Sequence, residues 1–382
     1  MPDASTVEIA HDRQVRPAAP RWRGWLSPSL VVAVFLLAYL GLILARNGGD
    51  PLAFVKLGEG FVDGEPVGEP GYDGQFAYWI ALDPRPAAAG PHLDVPAYRY
   101  QRVLYPLLAW VLAVGQPAWA PWTLVGINLV AQVLTVWQVE RWLTAHGRSR
   151  WAALVVGLWA GLVMAVRLDL TEPLCFALVM AGLHAHRQGR MGWAAVWLAL
   201  AILSKETALL FLIALLASAA LNRRWRDLGE LCLAAAPFAV LQVLLVRWFG
   251  EVGLATGGFM ATALEWIPYN GLWRVAAISL PAFVLLLVIL GPLVVLPSVW
   301  GVVTALRHLW ARDFAPAALV LGANAGFIAL TPFATFREPL GLIRLATGLV
   351  LATVLYGAHT GSRRVRSYSF LWLAALALVV RE

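Results

Sequence analysis

The run from Val103 to Gly115, VLYPLLAWVLAVG, decides how this chain is folded. It is apolar throughout, yet its 13 residues fall short of the roughly 20 that a transmembrane helix needs. It is bounded by Arg102 and by the breaker-rich GQPAWAPW at 115 to 122, which suits a re-entrant or interfacial hairpin better than a crossing. The choice matters because a crossing here would invert the side on which every later loop falls.

The rest of the chain settles the class. Of its 382 residues, 60% are hydrophobic and 13% charged, against the roughly 25% charged residues of soluble domains. Apolar runs recur down the whole length, near 28 to 45, 121 to 140, 151 to 167, 170 to 186, 191 to 204, 206 to 221, 228 to 248, 281 to 305, 315 to 333, 339 to 358 and 368 to 380. This predicts an all-α polytopic membrane protein of eleven spans, one transmembrane domain over 28 to 380. Residues 1 to 27 form a basic tail, with Arg13, Arg16, Arg21 and Arg23, expected to be cytoplasmic and disordered. No small-residue cleavage site follows the first run, so a retained span is expected rather than a cleaved signal peptide. The two cysteines, Cys175 and Cys232, lie inside apolar runs, which argues against a disulfide framework or a thiolate metal site. The net charge of +7 sits in short connectors between spans, so it sets membrane orientation and does not imply nucleic acid.

Charge parity tests the reading of 103 to 115. With that run kept on one side and the N-terminus inside, the inner segments hold 17 Arg/Lys and 7 Asp/Glu, and the outer ones 12 and 15. Making it a crossing would move ERWLTAHGRSR, HRQGR and three later basic connectors outside, against the positive-inside rule. The accepted topology places an outer loop at 46 to 120, a second at 249 to 280, and the polar junctions RLDLTEP, SKE and FREP on the same outer face. Charged groups at helix ends are costly unless paired or solvated, so their convergence predicts a polar cavity opening outward.

Within that cavity several residue types could carry chemistry. Asp73, in GYDGQFAYWIALDP at 71 to 84, heads a helix whose Phe76, Trp79 and Ile80 read as membrane-surface anchors; it could equally be only the N-cap. Arg99 and Arg102, interleaved with Tyr98, Tyr100 and Tyr105, could hold a phosphate or could anchor at the lipid boundary. Asp169 and Glu172 stand three apart at a helix start, where they could face Asp73 or merely cap and pair with Arg167. Lys205 and Glu206, and later Arg337, Glu338 and Arg344, interrupt apolar sequence; each adjacent pair could be a local ion pair. No P-loop, HExxH or GxSxG pattern is present, and the seven histidines form no outer ligand set. No metal-binding residues are assigned.

These residues resemble a known family. An acidic residue in a large first outer loop, the surface helix YDGQFAYWIALDP, an aromatic LYPLL segment and the junction LDLTEPL are similar to the corresponding places in the GT-C superfamily of integral-membrane glycosyltransferases. The likeness is nearest to small bacterial members linked to cell-surface glycopolymers, and more distant to mannosyltransferases of glycolipid-anchor assembly. It covers 28 to 221 well and the C-terminal third poorly. The resemblance implies a GT-C-like helical bundle in a bacterial cytoplasmic membrane. It implies transfer of a monosaccharide, with inversion, from a polyprenyl-phosphate donor to an envelope acceptor hydroxyl on the outer face. Asp73 is then the candidate general base, and Gly74 stands where the family has a second acid, which leaves a divalent cation open and no other cofactor expected. Candidate substrate contacts are Tyr72 and Gln75 beside the base, Arg99 and Arg102 downstream, and Asp169, Glu172, Lys205, Glu206, Arg337 and Arg344 at the junctions. The competing expectation is a carrier or flippase for a lipid-linked or anionic envelope precursor. A carrier should expose polar residues along the midplane and to both sides in turn, whereas these gather at one end.

Overall fold

The computed structural model describes residues 26 to 379, apart from Asp63 and Met260. The expected tail therefore lies almost wholly outside the described residues. Nearly every element is helical; the exception is a minimal antiparallel hairpin pairing Phe61 with Pro66 and Val62 with Glu65.

The first helix, α1 (Pro28–Arg46), begins where Ser27 Oγ accepts the Leu30 N–H at 3.2 Å and Pro28 fills the first turn, the pairing expected of an N-terminus. A long loop carries α2 (Gly74–Leu82), α3 (Pro96–Tyr100) and α4 (Leu104–Leu112). The nine residues of α4 rise about 14 Å at about 1.5 Å each, too little to cross about 30 Å of hydrocarbon. Next comes α5 (Ala120–Ala145), whose buried polar residues fasten its neighbours. Asn128 Nδ2 donates to Tyr105 OH at 2.7 Å, and Gln132 Nε2 donates to the Gly157 carbonyl at 3.0 Å. That carbonyl ends α6 (Ala153–Gly157), which meets α7 (Ala160–Arg167) at a 54° bend, so one expected span is broken. Trp159 sits in the break, and its indole N–H lies 3.2 Å from both the Ile343 carbonyl and Thr347 Oγ1. The Gly157 carbonyl and the Trp159 indole at the kink thereby find partners away from lipid.

The chain continues through α8 (Glu172–Arg187), α9 (Met191–Ser204), α10 (Leu209–Leu221), α11 (Trp225–Cys232) and α12 (Ala236–Phe249). After a second loop come α13 (Asn270–Ile278), α14 (Leu280–Leu290), α15 (Leu296–Trp310) and α16 (Pro316–Ala329). Short α17 (Phe333–Arg337) and α18 (Pro339–Leu345) precede α19 (Thr347–Thr360) and α20 (Arg363–Ser369). Closest packing is between α8 and α9 and between α15 and α16.

The count of eleven full spans is not reproduced. Among the described residues five helices are long and apolar enough to cross a membrane, six with the bent pair. Three more stretches, Met191–Ser204, Glu206–Leu221 and Pro316–Ala329, are apolar but shorter. The last expected span is a 3-10 stretch, Phe370–Leu378, rising about 18 Å at about 2.0 Å per residue. Sequence hydropathy counts apolar residues and is blind to how tightly they are wound.

The first loop is folded into the bundle, which corrects the surface-helix expectation. Phe76 and Ile80 are buried in the main core and Trp79 stacks on His92 at 4.0 Å. Tyr100 and Tyr105 are likewise interior, not boundary anchors: Tyr105 OH donates to the Leu124 carbonyl at 3.0 Å. Close backbone contact explains the glycines. A Cβ on Gly74 would lie 2.1 Å from the Leu168 carbonyl oxygen, and one on Gly71, at φ +65°, would lie 2.4 Å from Gly58 N.

Candidate active site

The loop end of the bundle assembles charges from five segments. Asp73 stands at the N-terminus of α2 but makes no side-chain cap bond. Its carboxylate instead accepts two guanidinium N–H groups, Arg99 Nη1 on Oδ1 and Arg344 Nη1 on Oδ2, both at 3.1 Å. Burial pushes the Asp73 carboxyl upward, but Arg99 and then Arg344 outweigh it and hold the group well below the usual carboxylate range. Asp73 is therefore ionised, with a third of its side chain exposed.

Each arginine is anchored on its far edge by a second carboxylate. Arg99 Nε and Nη2 donate to Asp94 Oδ1 and Oδ2 at 2.7 and 2.6 Å, and its guanidinium lies 4.0 Å over the Phe76 ring. Arg344 Nε and Nη2 both reach Glu172 Oε1 at 3.1 Å, and Nη1 also donates to Tyr72 OH at 3.0 Å. Tyr72 OH in turn donates to Glu338 Oε1 at 3.2 Å. Such charge-assisted, multi-point contacts fix a guanidinium in orientation as well as position.

The adjacent charges at 205 and 206 do not pair with each other, nor do Arg337 and Glu338. Lys205 Nζ donates to Glu172 Oε1 at 3.0 Å, whereas Glu206 takes Arg102 through Nε at 2.8 Å and Nη2 at 2.6 Å. Arg102 Nη2 also reaches Tyr98 OH at 2.6 Å. Arg337 lies 5.7 Å from the Phe333 ring and, among the described residues, forms no ion pair.

Asp169 departs most from expectation. It lies before α8 with φ +50°, a left-handed backbone that non-glycine residues seldom adopt. It is fully buried and neither carboxylate oxygen has a hydrogen-bond partner. Arg167, its expected partner, donates through Nη1 to the Ala53 carbonyl at 2.7 Å. Burial raises the Asp169 carboxyl well above its ordinary range, with Arg167 opposing weakly. A small chamber of about 30 Å³ separates it from Asp73, walled also by Arg99, Arg102 and Arg344.

Adjoining that chamber, a cavity of about 430 Å³ opens between the first loop, Gly258, Phe259 and the α17 to α18 junction, with the polar side chains of Tyr72, Asp73, Arg99, Arg337 and Glu338 on its wall. Beside it runs an apolar groove of about 340 Å³ between α13, α14, α17 and α18, lined by residues such as Ile278, Leu285, Ile289 and Phe336. Arg337 borders both.

Tyr72, Asp73, Arg99, Arg102, Asp169, Glu172, Lys205, Glu206 and Arg344 are thus brought together, and Arg337 joins them at the cavity rim. Gln75 borders the cavity, and its amide bonds within the loop, accepting Gly58 N–H at 3.0 Å and donating to the Pro70 carbonyl at 2.7 Å. Asp94 was missed by sequence reasoning. Its partner lies five residues on, past Pro96, a spacing no regular helix or strand brings face to face. Among the described residues no group of three His, Cys, Asp or Glu side chains could hold a metal ion.

No family model and no curated protein matches this sequence. Among solved structures, ArnT from Cupriavidus metallidurans, crystallised bound to undecaprenyl phosphate, is similar over 93% of this chain with 16% identity and a TM-score of 0.45. The match covers 64% of the ArnT chain, so this chain spans less than two thirds of that protein's length.

Proposed function

We propose that this chain is a membrane glycosyltransferase that takes a monosaccharide from a polyprenyl-phosphate donor and passes it, with inversion, to an acceptor hydroxyl of the cell envelope. The observation that carries the reading is the shared wall at Arg337. An apolar groove for a chain-like tail and a cavity with a polar wall for a sugar meet at a guanidinium that forms no ion pair among the described residues. That order, tail then phosphate then sugar, is the order of groups in such a donor. Arginine suits a phosphate because its planar fork matches the oxygens.

In this reading Asp73 is the general base. It borders the cavity with a third of its side chain exposed, and its side chain is not committed to capping its own helix. It accepts the proton of the acceptor hydroxyl as that oxygen bonds to the anomeric carbon. The anomeric C–O bond to phosphate breaks, and its electron pair leaves on the phosphate oxygen. Cations stabilise the charge that develops there. Metal ions are not required by this scheme, since arginines supply the positive field.

The site would face the outer side of a bacterial cytoplasmic membrane, with the N-terminus inside. Supporting this, basic connectors gather at the other end of the bundle, where Arg150 Nη2 donates to the Leu26 carbonyl at 2.9 Å and Arg148 Nε to the Ala358 carbonyl at 3.3 Å. The test is transfer by the purified protein from a panel of polyprenyl-phosphate sugars. Wild type should transfer from at least one donor, Asp73→Asn should lose turnover by about 10²-fold or more, and Arg337→Ala should raise the donor KM by about tenfold or more with the fold intact. Full activity in Asp73→Asn refutes the base, and transfer from no donor refutes the enzyme.

A further inference from the structure

The unliganded site holds its general base in an unreactive grip. Both Asp73 oxygens are engaged, one by Arg99 and one by Arg344. Those arginines cannot drift, because Asp94 and Glu172 fix their other edges. A carboxylate stabilised by two guanidiniums has little affinity for a proton, which is the wrong property for a base. Meanwhile the adjoining chamber carries Arg99, Arg102 and Arg344 against one ionised carboxylate, Asp73, since buried Asp169 lies without partners. Behind that wall Asp94, Glu206 and Glu172 answer Arg99, Arg102, Lys205 and Arg344, so the cluster balances only while Asp73, or another anion in its place, is present. Yet the chamber's volume of about 30 Å³ is room for water only. The Nη1 edges of Arg99 and Arg344 that hold Asp73 are open to an anion only in place of that carboxylate, and Arg99 also borders the larger cavity from which an anion would approach.

We propose that the donor phosphate and Asp73 compete for the same guanidinium edges of Arg99 and Arg344, so that donor binding releases the base. This rests on the donor reading above and deepens it. With the phosphate seated between Arg337 on the groove side and the freed edges of Arg99 and Arg344, these guanidiniums neutralise the leaving group, and Asp73 faces the acceptor without its two N–H partners. The acceptor O–H proton then passes to Asp73 Oδ while the acceptor oxygen bonds to the anomeric carbon and the phosphate departs with the bonding pair. Before the donor arrives, the base stays inert toward water in the cavity.

The other charged groups around Asp73 remain in place during this exchange. On its own loop these are Tyr72, Asp94 and Arg102; from the α7 to α8 junction Asp169; from α8 Glu172. Lys205 and Glu206 precede α10, and Arg337 and Glu338 join α17 to α18. Lys205 and Arg102 keep their carboxylates, Glu172 and Glu206, so only the two Asp73 contacts open.

The exchange makes a prediction opposite to an ordinary binding-site mutation: Asp73→Asn should bind donor-like anions more tightly. With farnesyl phosphate as the probe and Trp fluorescence as the readout, its Kd should fall about tenfold, equal to about 1.4 kcal/mol. In wild type labelled at its ten aspartates with ¹³C, infrared titration should show one low-titrating carboxylate band protonating about one pH unit or more higher once farnesyl phosphate saturates the site; the shift is read without a variant, and loss of that band in Asp73→Asn assigns it to Asp73. If farnesyl phosphate binds but Asp73→Asn gains nothing and the Asp73 band does not move, the exchange is wrong while the donor reading survives. If inorganic phosphate binds as tightly as farnesyl phosphate, with the same gain in Asp73→Asn, the exchange stands and the lipid donor falls. If neither anion binds, both ideas fall together.

Discussion

Replacing Asp169 by Asn should make the protein more stable at neutral pH and remove a loss of stability that grows as pH rises. Asp169 is fully buried with both oxygens unpartnered and φ +50°. Asn has the same shape and is among the few residues that tolerate left-handed backbone, so the substitution adds no strain. The difference is ionic. The folded-state carboxyl is raised above its ordinary value of 3.8 by burial, so the native state binds this proton more tightly than the unfolded chain does. Stability from this group is whole below the unfolded value and is lost as pH rises above it, until the folded carboxyl itself ionises. The slope is about 1.4 kcal/mol per pH unit. As pH rises from 5 toward 7 the wild type should therefore lose stability relative to Asp169→Asn. Denaturant unfolding in detergent across pH 5 to 8 reads this directly, as the difference between the two proteins at each pH. A difference that stays constant with pH would show that Asp169 is ionised in the fold and paired through something else. A variant less stable at every pH would refute the argument from shape as well.

Two further substitutions probe the scaffold that holds Asp73. Glu172→Ala removes the shared partner of Lys205 and Arg344 and leaves buried Lys205 without its carboxylate and Arg344 with Asp73 alone, so unfolding free energy should drop by about 3 to 5 kcal/mol, seen as a lowered midpoint in the same titration. Gly74→Ala places a methyl 2.1 Å from the Leu168 carbonyl oxygen; separating α2 from the α7 to α8 junction should cost about 1 to 3 kcal/mol and reduce turnover along with stability, whereas unaltered activity would show that this contact does not position Asp73.

How much of this was legible in the sequence depends on what a side chain does locally. Asp73, Arg99, Lys205 and Arg344 were visible because charge interrupting apolar sequence at one face is costly and needs a reason. Their partners were not visible. Lys205 and Glu206 sit side by side in the chain, yet neighbours in sequence point apart, and their actual partners, Glu172 and Arg102, are 33 and 104 residues away. The first loop misled for a related reason. Phe76, Ile80, Tyr100 and Tyr105 have the composition of lipid-boundary anchors, and only the fold reveals that their apolar surface is spent on α5 and the bundle core. The broken span at Leu158 to Trp159 was equally hidden, because the residues that satisfy its freed backbone and indole, Gln132, Ile343 and Thr347, lie on other helices.

The pairing pattern also explains why the site can be so charged inside an apolar bundle. Buried ions are tolerated where each has a partner at hydrogen-bonding distance, and a lone one is strongly destabilising. Asp94 answers Arg99, Glu206 answers Arg102, and Glu172 answers Lys205 and Arg344. Glu172 serves two cations with one oxygen, leaving Oε2 without a partner and the trio with an excess positive charge. Asp73 supplies the missing negative charge from the cavity side. It follows that Asp73 cannot leave Arg344 unless another anion arrives, because departure alone would strand a buried guanidinium. The same electrostatic deficit that holds Asp73 in place is therefore what would reserve its release for an anionic substrate.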